Sequence, residues 1–337
     1  MKLYISCFTN DFEIMRAKWT AKRAGNCLSD ELQDRYDNQV GNILVYDWES
    51  DAQIGSLEQG CPFGIFIQDK TMMVCDAKNN SIEYYDCDTF ELQKTLTSHY
   101  FNDLHSIVKD GDSFILTSSG IDTVARLDSE TGYVEPILTL KKKDNNAPGS
   151  LYVASLSPTE DFSIENISTQ EQSTHLNYAA PLSDGRIGVS LFHQGQIIAY
   201  REGTSSYDVL ISGLKHSHAF LEYHSKFYVA DSGNSSVKVY ESGSYKFLKE
   251  IPFNGWVQDI RLVNVEGDNR QTSLMAVTDA DNARLYFFDL ETEKTVKIMQ
   301  LPANYRIASC VLVRALRPAP RVTERKKVAA LELIPYN

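Results

Sequence analysis

The sequence predicts an all-β protein that folds as a single six-bladed β-propeller, and two observations carry this prediction. The first is a repeated two-strand unit that occurs four times, with a fifth and looser copy. The second is the spacing of the strands that precede these copies, which is close to the length of one propeller blade. Since propellers often exceed the usual length of a domain, residues 1–337 are expected to form one domain.

Each copy of the repeated unit consists of an apolar strand, a polar turn, a second strand and an acidic turn. The apolar strand ends in Asp, Ser, Gly or Asn, which suit a tight turn, and the second strand alternates as a half-buried strand does. The four copies are residues 72–86, 114–128, 227–241 and 274–289, and the looser copy is residues 186–200. A further short strand follows each copy, so one unit supplies about four strands, the usual content of a blade.

A predicted inner strand precedes every copy and completes five blades. These strands are residues 63–67, 104–108, 178–182, 219–222 and 258–263. Their spacing is near 40 residues, except for one interval of about 70 residues. That interval contains the polar segment 141–172, which we interpret as an excursion loop. A second insertion covers residues 11–40, in which residues 13–23 are expected to form a short helix.

The sixth blade is expected to form from the two ends of the chain. Strand-like segments there are residues 3–7, 41–48, 306–314 and 328–334. Pairing of N-terminal with C-terminal strands would close the ring and remove an exposed sheet edge. The order of these strands stays open, and the unassigned ends leave room for a seventh blade.

Composition narrows the partners and the compartment. The formal net charge of −12 disfavours nucleic acid and anionic membranes as partners. A small-molecule substrate is expected from the candidate site in the channel described below. The basic stretch near the C-terminus is interpreted as a solvated hairpin loop; it contains Arg314, Arg317, Arg321, Arg325, Lys326 and Lys327.

The six cysteines form no CxxC pair and are interpreted as reduced thiols, most of them buried. With no signal peptide or membrane span recognised, a cytoplasmic protein is expected. The oligomeric state stays open.

Three histidines form the most specific candidate site. His105 and His218 each lie nine residues before the second strand of their blade, and His175 lies about three residues earlier in its own blade. Inner strands line the channel of a propeller, so the three imidazoles could hold one divalent transition metal (Fe, Zn, Cu or Mn) at the channel mouth. His216 lies two residues from His218 and could replace it. A metal-free polar binding channel and purely structural histidines remain alternatives.

Residues in the same register of other blades are candidates for catalysis. Gln258 and Asp259 are the best additional groups, and Tyr178, Phe220 and Trp256 are expected to line the pocket. Outer acceptors for metal-bound imidazoles are expected at Glu222, Asp103 and Asn177. The sequence contains no phosphate-binding glycine loop, GxSxG, HExxH or CxxC motif, which disfavours the corresponding chemistries.

The four repeat copies resemble those of the six-bladed NHL, YVTN and gluconolactonase-like propellers. More narrowly, Asp103-Leu104-His105, His175-Leu176-Asn177 and His218 followed by Asp231-Ser232-Gly233 resemble a bacterial propeller family with D-L-H, H-L-N and H-S-P…D-S-G motifs. The resemblance implies a site in the channel without a settled reaction. The sequence departs from it after His218, where Ala219 and Phe220 stand instead of Ser-Pro.

These observations predict a metal-dependent enzyme that acts on a small molecule, with lyase, hydrolase or oxygenase chemistry left open. The two insertions would cover the channel mouth and select the substrate. The alternative is a non-catalytic propeller that binds a protein or a small ligand on its rim. The two differ in whether the histidines matter for function.

Overall fold

The computed structural model describes residues 1–143, 150–164, 167–266 and 271–314, and its strands form six antiparallel sheets. Blade 1 contains β4 (Pro62–Gln68), β5 (Thr71–Asp76), β6 (Ser81–Asp86) and β7 (Leu92–Thr97). Blade 2 contains β8 (Leu104–Asp110), β9 (Ser113–Ser118), β10 (Thr123–Asp128), β11 (Val134–Lys142) and β12 (Leu151–Ala154). Blade 3 contains β13 (Leu176–Pro181), β14 (Ile187–Leu191), β15 (Gln196–Tyr200) and β16 (Tyr207–Ile211).

Blades 4 to 6 complete the ring. Blade 4 contains β17 (Ser217–Tyr223), β18 (Lys226–Asp231), β19 (Ser236–Glu241) and β20 (Phe247–Pro252). Blade 5 contains β21 (Val257–Glu266), β22 (Gln271–Asp279), β23 (Arg284–Asp289) and β24 (Lys294–Gln300). Blade 6 contains β25 (Arg306–Val313), β1 (Lys2–Thr9), β2 (Gly41–Asp47) and β3 (Gln53–Gln59), in that spatial order. The fold is therefore a six-bladed β-propeller, as the repeats predict, without a seventh blade among the described residues.

Blade 6 is closed by the pairing of β1 with β25, which joins the two ends of the described chain. Leu3 pairs with Leu312 and Ile5 with Cys310, and all four side chains belong to or pack on the same apolar cluster. The inner strands contact one another in the ring order β4, β8, β13, β17, β21, β25 and back to β4. The innermost strand of the closing blade is thus the C-terminal one. The predicted strand at 328–334 and the basic residues beyond Arg314 lie outside the described residues.

Apolar clusters between neighbouring blades form the core. The largest joins blades 3, 4 and 5, and its fully buried side chains include Phe227, Val229, Val237 and Met275. Phe227, Val229 and Met275 come from the apolar strands of the repeat, β18 and β22, whose two faces are covered by neighbouring blades. Val237 comes from the next strand, β19.

Both predicted insertions are present, with more regular structure than the sequence indicates. Residues 11–40 contain α1 (Phe12–Arg23), as expected, and also α2 (Asp30–Asp37). In the other insertion, β12 pairs with β11 as a fifth strand of blade 2, so the expectation of a loop throughout 141–172 is wrong in part. No helix of the described residues is long and apolar enough to cross a membrane.

Every inner strand has a β-bulge near its start, where the pairing register with the next strand shifts and one or two residues are left unpaired. The strands pair regularly with their neighbours on both sides of this β-bulge. The residues left out of the ladder at equivalent positions are Phe63, His105, Asn177, His218, Gln258 and Ala308. Because a bulge re-aims the side chain that it carries, one residue from each blade can turn toward the central axis.

Candidate site at the channel mouth

All six bulge residues line one cavity on the axis of the ring, at the end where the inner strands begin. The space is partly open to solvent, and it measures about 300 Å³ when the open solvent at its mouth is counted with it. Its other lining residues are Ser106, Tyr178, Ala219, Asp259, Arg261 and Ser309. Residues separated by more than 200 positions in the sequence therefore meet in one polar chamber.

His105 and His218 are held in the same way in blades 2 and 4. The Nδ1 of His105 donates to the backbone oxygen of Asp103 at 2.9 Å, and that of His218 donates to the backbone oxygen of His216 at 3.0 Å. Both acceptor residues have left-handed backbones, with φ of +54° and +58°. The left-handed residue turns the chain so that its own backbone carbonyl accepts from the imidazole of the histidine two residues further along. It fixes the Nδ1–H tautomer and leaves the Nε2 lone pair available.

A serine gives His218 a second outer partner. Ser232 Oγ lies 2.7 Å from the Nδ1 of His218 and 2.5 Å from the backbone oxygen of Val257. The hydroxyl proton goes to Val257, which has only an acceptor there, so the serine oxygen accepts from His218. This residue belongs to the Asp231-Ser232-Gly233 motif that the sequence singles out.

His175 occupies a different position from the other two histidines. It lies two residues before the bulge, where blades 2 and 4 have Asp103 and His216, and its φ is likewise positive at +47°. Asn177 takes the bulge position of blade 3. The Nδ1 of His175 donates to Gln172 Oε1 at 2.5 Å. Hence all three imidazoles have Nδ1 engaged, and no residue of the described chain hydrogen-bonds their Nε2 atoms.

The loop that carries His175 is fixed by Asp122, which is fully buried. Its carboxylate accepts from the backbone N–H groups of Ser173, Thr174 and His175 at 2.6, 2.7 and 2.9 Å. A carboxylate with several backbone donors is held by charge-assisted hydrogen bonds, which are the stronger kind. The position of His175 therefore depends on a residue of the neighbouring blade.

The structure brings two of the three predicted ligands together. The ring centroids of His105 and His175 lie 4.9 Å apart. Ligand atoms of these residues and of Asp103 all lie within 4.8 Å of one another, and His218 is not in that group. The ring of Phe192 stands between His175 and His218, with centroid distances of 5.1 and 5.5 Å. Asp103 contacts the Nδ1 edge of His105, with its carboxylate oxygen at 3.6 Å.

Burial keeps two of these imidazoles neutral. Burial, with a smaller contribution from the nearby His105, lowers the pKa of His218 to about 3, although the hydrogen bond to His216 opposes this shift. Burial, followed by the neighbouring histidines, holds the pKa of His175 well below its usual range. Neutral imidazoles with a free Nε2 are the form in which histidine binds a metal.

The three residues predicted to act in catalysis all line the cavity. Gln258 Oε1 accepts from the indole N–H of Trp256 at 2.9 Å, and Trp256 packs edge-on against His218. Asp259 Oδ2 accepts from Arg261 Nε at 2.8 Å and from Ser309 Oγ at 2.5 Å. The Arg261 guanidinium lies 5.3 Å from the ring centre of Tyr178, across the channel. Burial lowers the pKa of Arg261, but Asp259 offsets this and the net shift is upward, so the side chain stays charged.

Other predicted residues lie elsewhere. Phe220 packs into the core against Phe227, so its placement in the pocket lining is wrong. Glu222 lies near the far end of β17 and accepts from Ser183, so it is not an outer partner of a histidine. His216 stacks on Phe192 at 4.4 Å and supports His218 through its carbonyl.

Sequence reasoning missed Arg261, Asp122, Gln172 and Phe192. Arg261 has a usable signal, because it lies two residues after Asp259 on a predicted inner strand and therefore on the same strand face. Phe192 and Gln172 lie in loops, and nothing in their local sequence indicates that they reach the channel mouth.

Comparisons with known proteins support the fold. No family model matches the sequence, and no curated protein matches it. Among solved structures, a chain of a nidogen/laminin complex is similar with a TM-score of 0.58 and 10% identity, covering 92% of this chain and 97% of that chain. Virginiamycin B lyase from Staphylococcus aureus has a TM-score of 0.45 and 10% identity, covering 72% and 70%. The dihydro-heme d1 dehydrogenase NirN has a TM-score of 0.42 and 10% identity, covering 89% and 54%. At 10% identity the likeness to the nidogen/laminin chain concerns the propeller fold alone, and the two structures with TM-scores below 0.5 support no conclusion about this chain.

Proposed function

We propose that this protein is a metal-dependent enzyme that acts on a small molecule at the channel mouth, with His105, His175 and His218 as the metal ligands. One observation carries the proposal: the three imidazoles share one tautomer, with Nδ1–H donated to an oxygen and Nε2 left free. A metal-ligating histidine usually donates its other ring nitrogen to such an acceptor. His105 and His218 line the same cavity, and the ring of His175 lies 4.9 Å from that of His105.

The residues present fit a first-row transition metal. His105 and His175 already lie close together, and His218 must approach past Phe192 to join them. Imidazole suits zinc, iron and copper. The carboxylate of Asp103 lies at the Nδ1 edge of His105, so it would orient this ring from outside the metal site. The atoms that accept from the three Nδ1–H groups are backbone, amide and hydroxyl oxygens.

A bound metal would supply Lewis acidity and would activate water or another small oxygen species, which suits lyase, hydrolase or oxygenase chemistry. The protein residues would orient the substrate. Gln258, Tyr178, Asp259 and Arg261 all line the cavity together with His105 and His218. We also propose a cytoplasmic location, since all six cysteines are unpaired.

The test is the metal content of the purified protein after loading with Fe(II), Zn(II), Cu(II) or Mn(II) and dialysis. The native protein is compared with His105→Ala, His175→Ala, His218→Ala and the triple variant. His224→Asn is the matched control, since this exposed histidine lies at a hairpin outside the cavity. Circular dichroism and thermal unfolding establish that each variant is folded.

We expect the native protein and the control to retain a stoichiometric amount of one metal and the triple variant to lose it. Retention by His218→Ala alone would reduce the ligand set to the two neighbouring histidines and assign His218 to the substrate. A folded native protein that retains none of the four metals would overturn the proposal. It would favour a propeller that binds its partner without catalysis.

A further inference from the structure

The geometry of the channel points to a recognition site for a small carboxylic acid with a hydrogen-bond donor on its α-carbon, formed by Arg261, Asp259 and Asn177. This inference deepens the proposed function and rests on it only for the reaction, because the recognition groups are separate from the histidines. It names the substrate class as α-amino or α-hydroxy acids.

Asp259 has one carboxylate oxygen without a partner. Its side chain is about 95% buried, with 5% of the residue exposed, and Oδ2 accepts from both Arg261 and Ser309. Oδ1 is buried and makes no hydrogen bond within the described chain. An unpaired buried acceptor costs free energy, and a charged one costs more than a neutral one. A donor from a bound ligand in the cavity would remove this cost.

Asn177 lines the same cavity from blade 3 and repeats the pattern. It is 5% exposed, and its amide nitrogen donates to the backbone oxygen of Ser217 at 3.3 Å. Its Oδ1 is buried and has no partner in the described parts of the chain. Two unsatisfied acceptors in one chamber therefore call for a ligand that carries N–H or O–H donors.

Arg261 supplies the complementary half of the site. Only its Nε is used, by Asp259, and no described residue accepts from its two terminal nitrogens. The guanidinium lines the cavity and lies over Tyr178, so its terminal edge is fixed and faces a space where a ligand can bind. A guanidinium edge of this kind binds a carboxylate through two parallel hydrogen bonds.

The charges of the site match this class of ligand. The charges of Asp259 and Arg261 cancel each other. A ligand with both a carboxylate and a hydrogen-bond donor would pair with the guanidinium edge of Arg261 and with the free oxygen of Asp259. A plain carboxylate would pair with Arg261 but would leave the Asp259 oxygen unsatisfied and close to a second anion. A simple amine would leave the guanidinium edge unsatisfied. The α-donor is therefore the discriminating feature.

The test is calorimetric titration of the full-length protein, in the presence of a chelator, with the isosteric series L-alanine, L-lactate and propionate, followed by the other standard amino acids and glycolate. The key variant is Asp259→Asn/Arg261→Gln, which replaces the ion pair with a neutral pair of similar shape. The control is Asp110→Asn/Arg126→Gln, which removes an ion pair outside the cavity. Thermal unfolding establishes that both variants fold.

We expect at least one α-amino or α-hydroxy acid to bind, with propionate at least about tenfold weaker than its α-substituted isosteres. The neutral-pair variant should weaken binding by at least about tenfold, and the control should leave it unchanged. Binding by none of the α-substituted acids, or equal binding of propionate, or undiminished binding by the neutral-pair variant, overturns the inference. Because the titration is metal-free, its result is independent of the metal content that tests the proposed function.

Discussion

At the scale of single residues, the imidazole of His218 makes the stability of the fold depend on pH. Its pKa is about 3 in the folded protein, because the ring is buried, against about 6.5 in an unfolded chain. As the pH falls from about 6.5 toward about 3, His218 binds a proton in the unfolded chain but stays neutral in the folded protein. The free energy of unfolding must therefore decrease with falling pH in this window, and above it His218 contributes no pH dependence.

We expect this single residue to account for about 2 kcal/mol of the stability lost between pH 7 and pH 5. The measurement is urea unfolding at both pH values in the presence of a chelator. His218→Gln should lose less stability across this interval than the native protein does, whatever its stability at pH 7. His224→Asn, which removes an exposed imidazole, should behave as the native protein does. Equal losses in the native protein and His218→Gln would show that His218 titrates normally in the fold.

At the scale of elements, the loop before β13 is held from outside its own blade. Asp122 follows a short 3₁₀ turn, Ser119–Ile121, in blade 2, has a left-handed backbone and accepts three backbone N–H groups of the loop 173–175. Asparagine tolerates the same backbone but replaces one acceptor oxygen with an NH₂ group. The NH₂ group of the asparagine would then face a backbone N–H group, so that two donors would meet where a carboxylate oxygen now accepts.

Asp122→Asn should therefore destabilise the protein by about 1–3 kcal/mol and weaken metal binding through displacement of His175. Asp69→Asn is the matched control, because Asp69 has nearly the same φ of +54° but an exposed side chain without hydrogen bonds to described residues. Urea unfolding and metal titration measure the two effects. If the variant lost stability but bound metal as the native protein does, the loop would not be what positions the ligand.

The same elements show what the sequence can and cannot predict. The equal spacing of nine residues from His105 to Phe114 and from His218 to Phe227 was sufficient to place the two histidines in the same register of their blades. It did not indicate the bulges that carry them. His175 was placed near them because its blade has the same strand pattern. The role of Asp122, and the ring of Phe192 between two histidines, depend on contacts between blades. Such contacts have no local pattern, since they are set by the curvature of the whole ring.

At the scale of the whole molecule, one strand pairing closes the ring. Without the pairing of β1 with β25, blade 6 would split and both halves would expose unpaired sheet edges. The contact joins residues more than 300 positions apart, so the chain loses much conformational entropy when it forms. Ile5 and Cys310 are direct cross-strand partners, both fully buried in the same cluster, and they offer a way to test how much this closure controls stability.

Ile5→Cys should form a disulfide with Cys310, because directly paired strand residues meet the Cα separation that a disulfide requires. By the chain-entropy relation, linking residues this far apart stabilises the folded state by about 6 kcal/mol, less any strain in the bond. Guanidinium unfolding of the oxidised and reduced forms of this variant measures the gain, and the comparison cancels the cost of the smaller side chain. The native protein under the same oxidising conditions is the control for the other thiols.

A cross-link that mass spectrometry confirms but that leaves stability unchanged would mean that the ends stay associated in the unfolded chain. A variant that does not cross-link would contradict the pairing itself. A gain of the expected size would show that the two paired strands separate when the propeller unfolds.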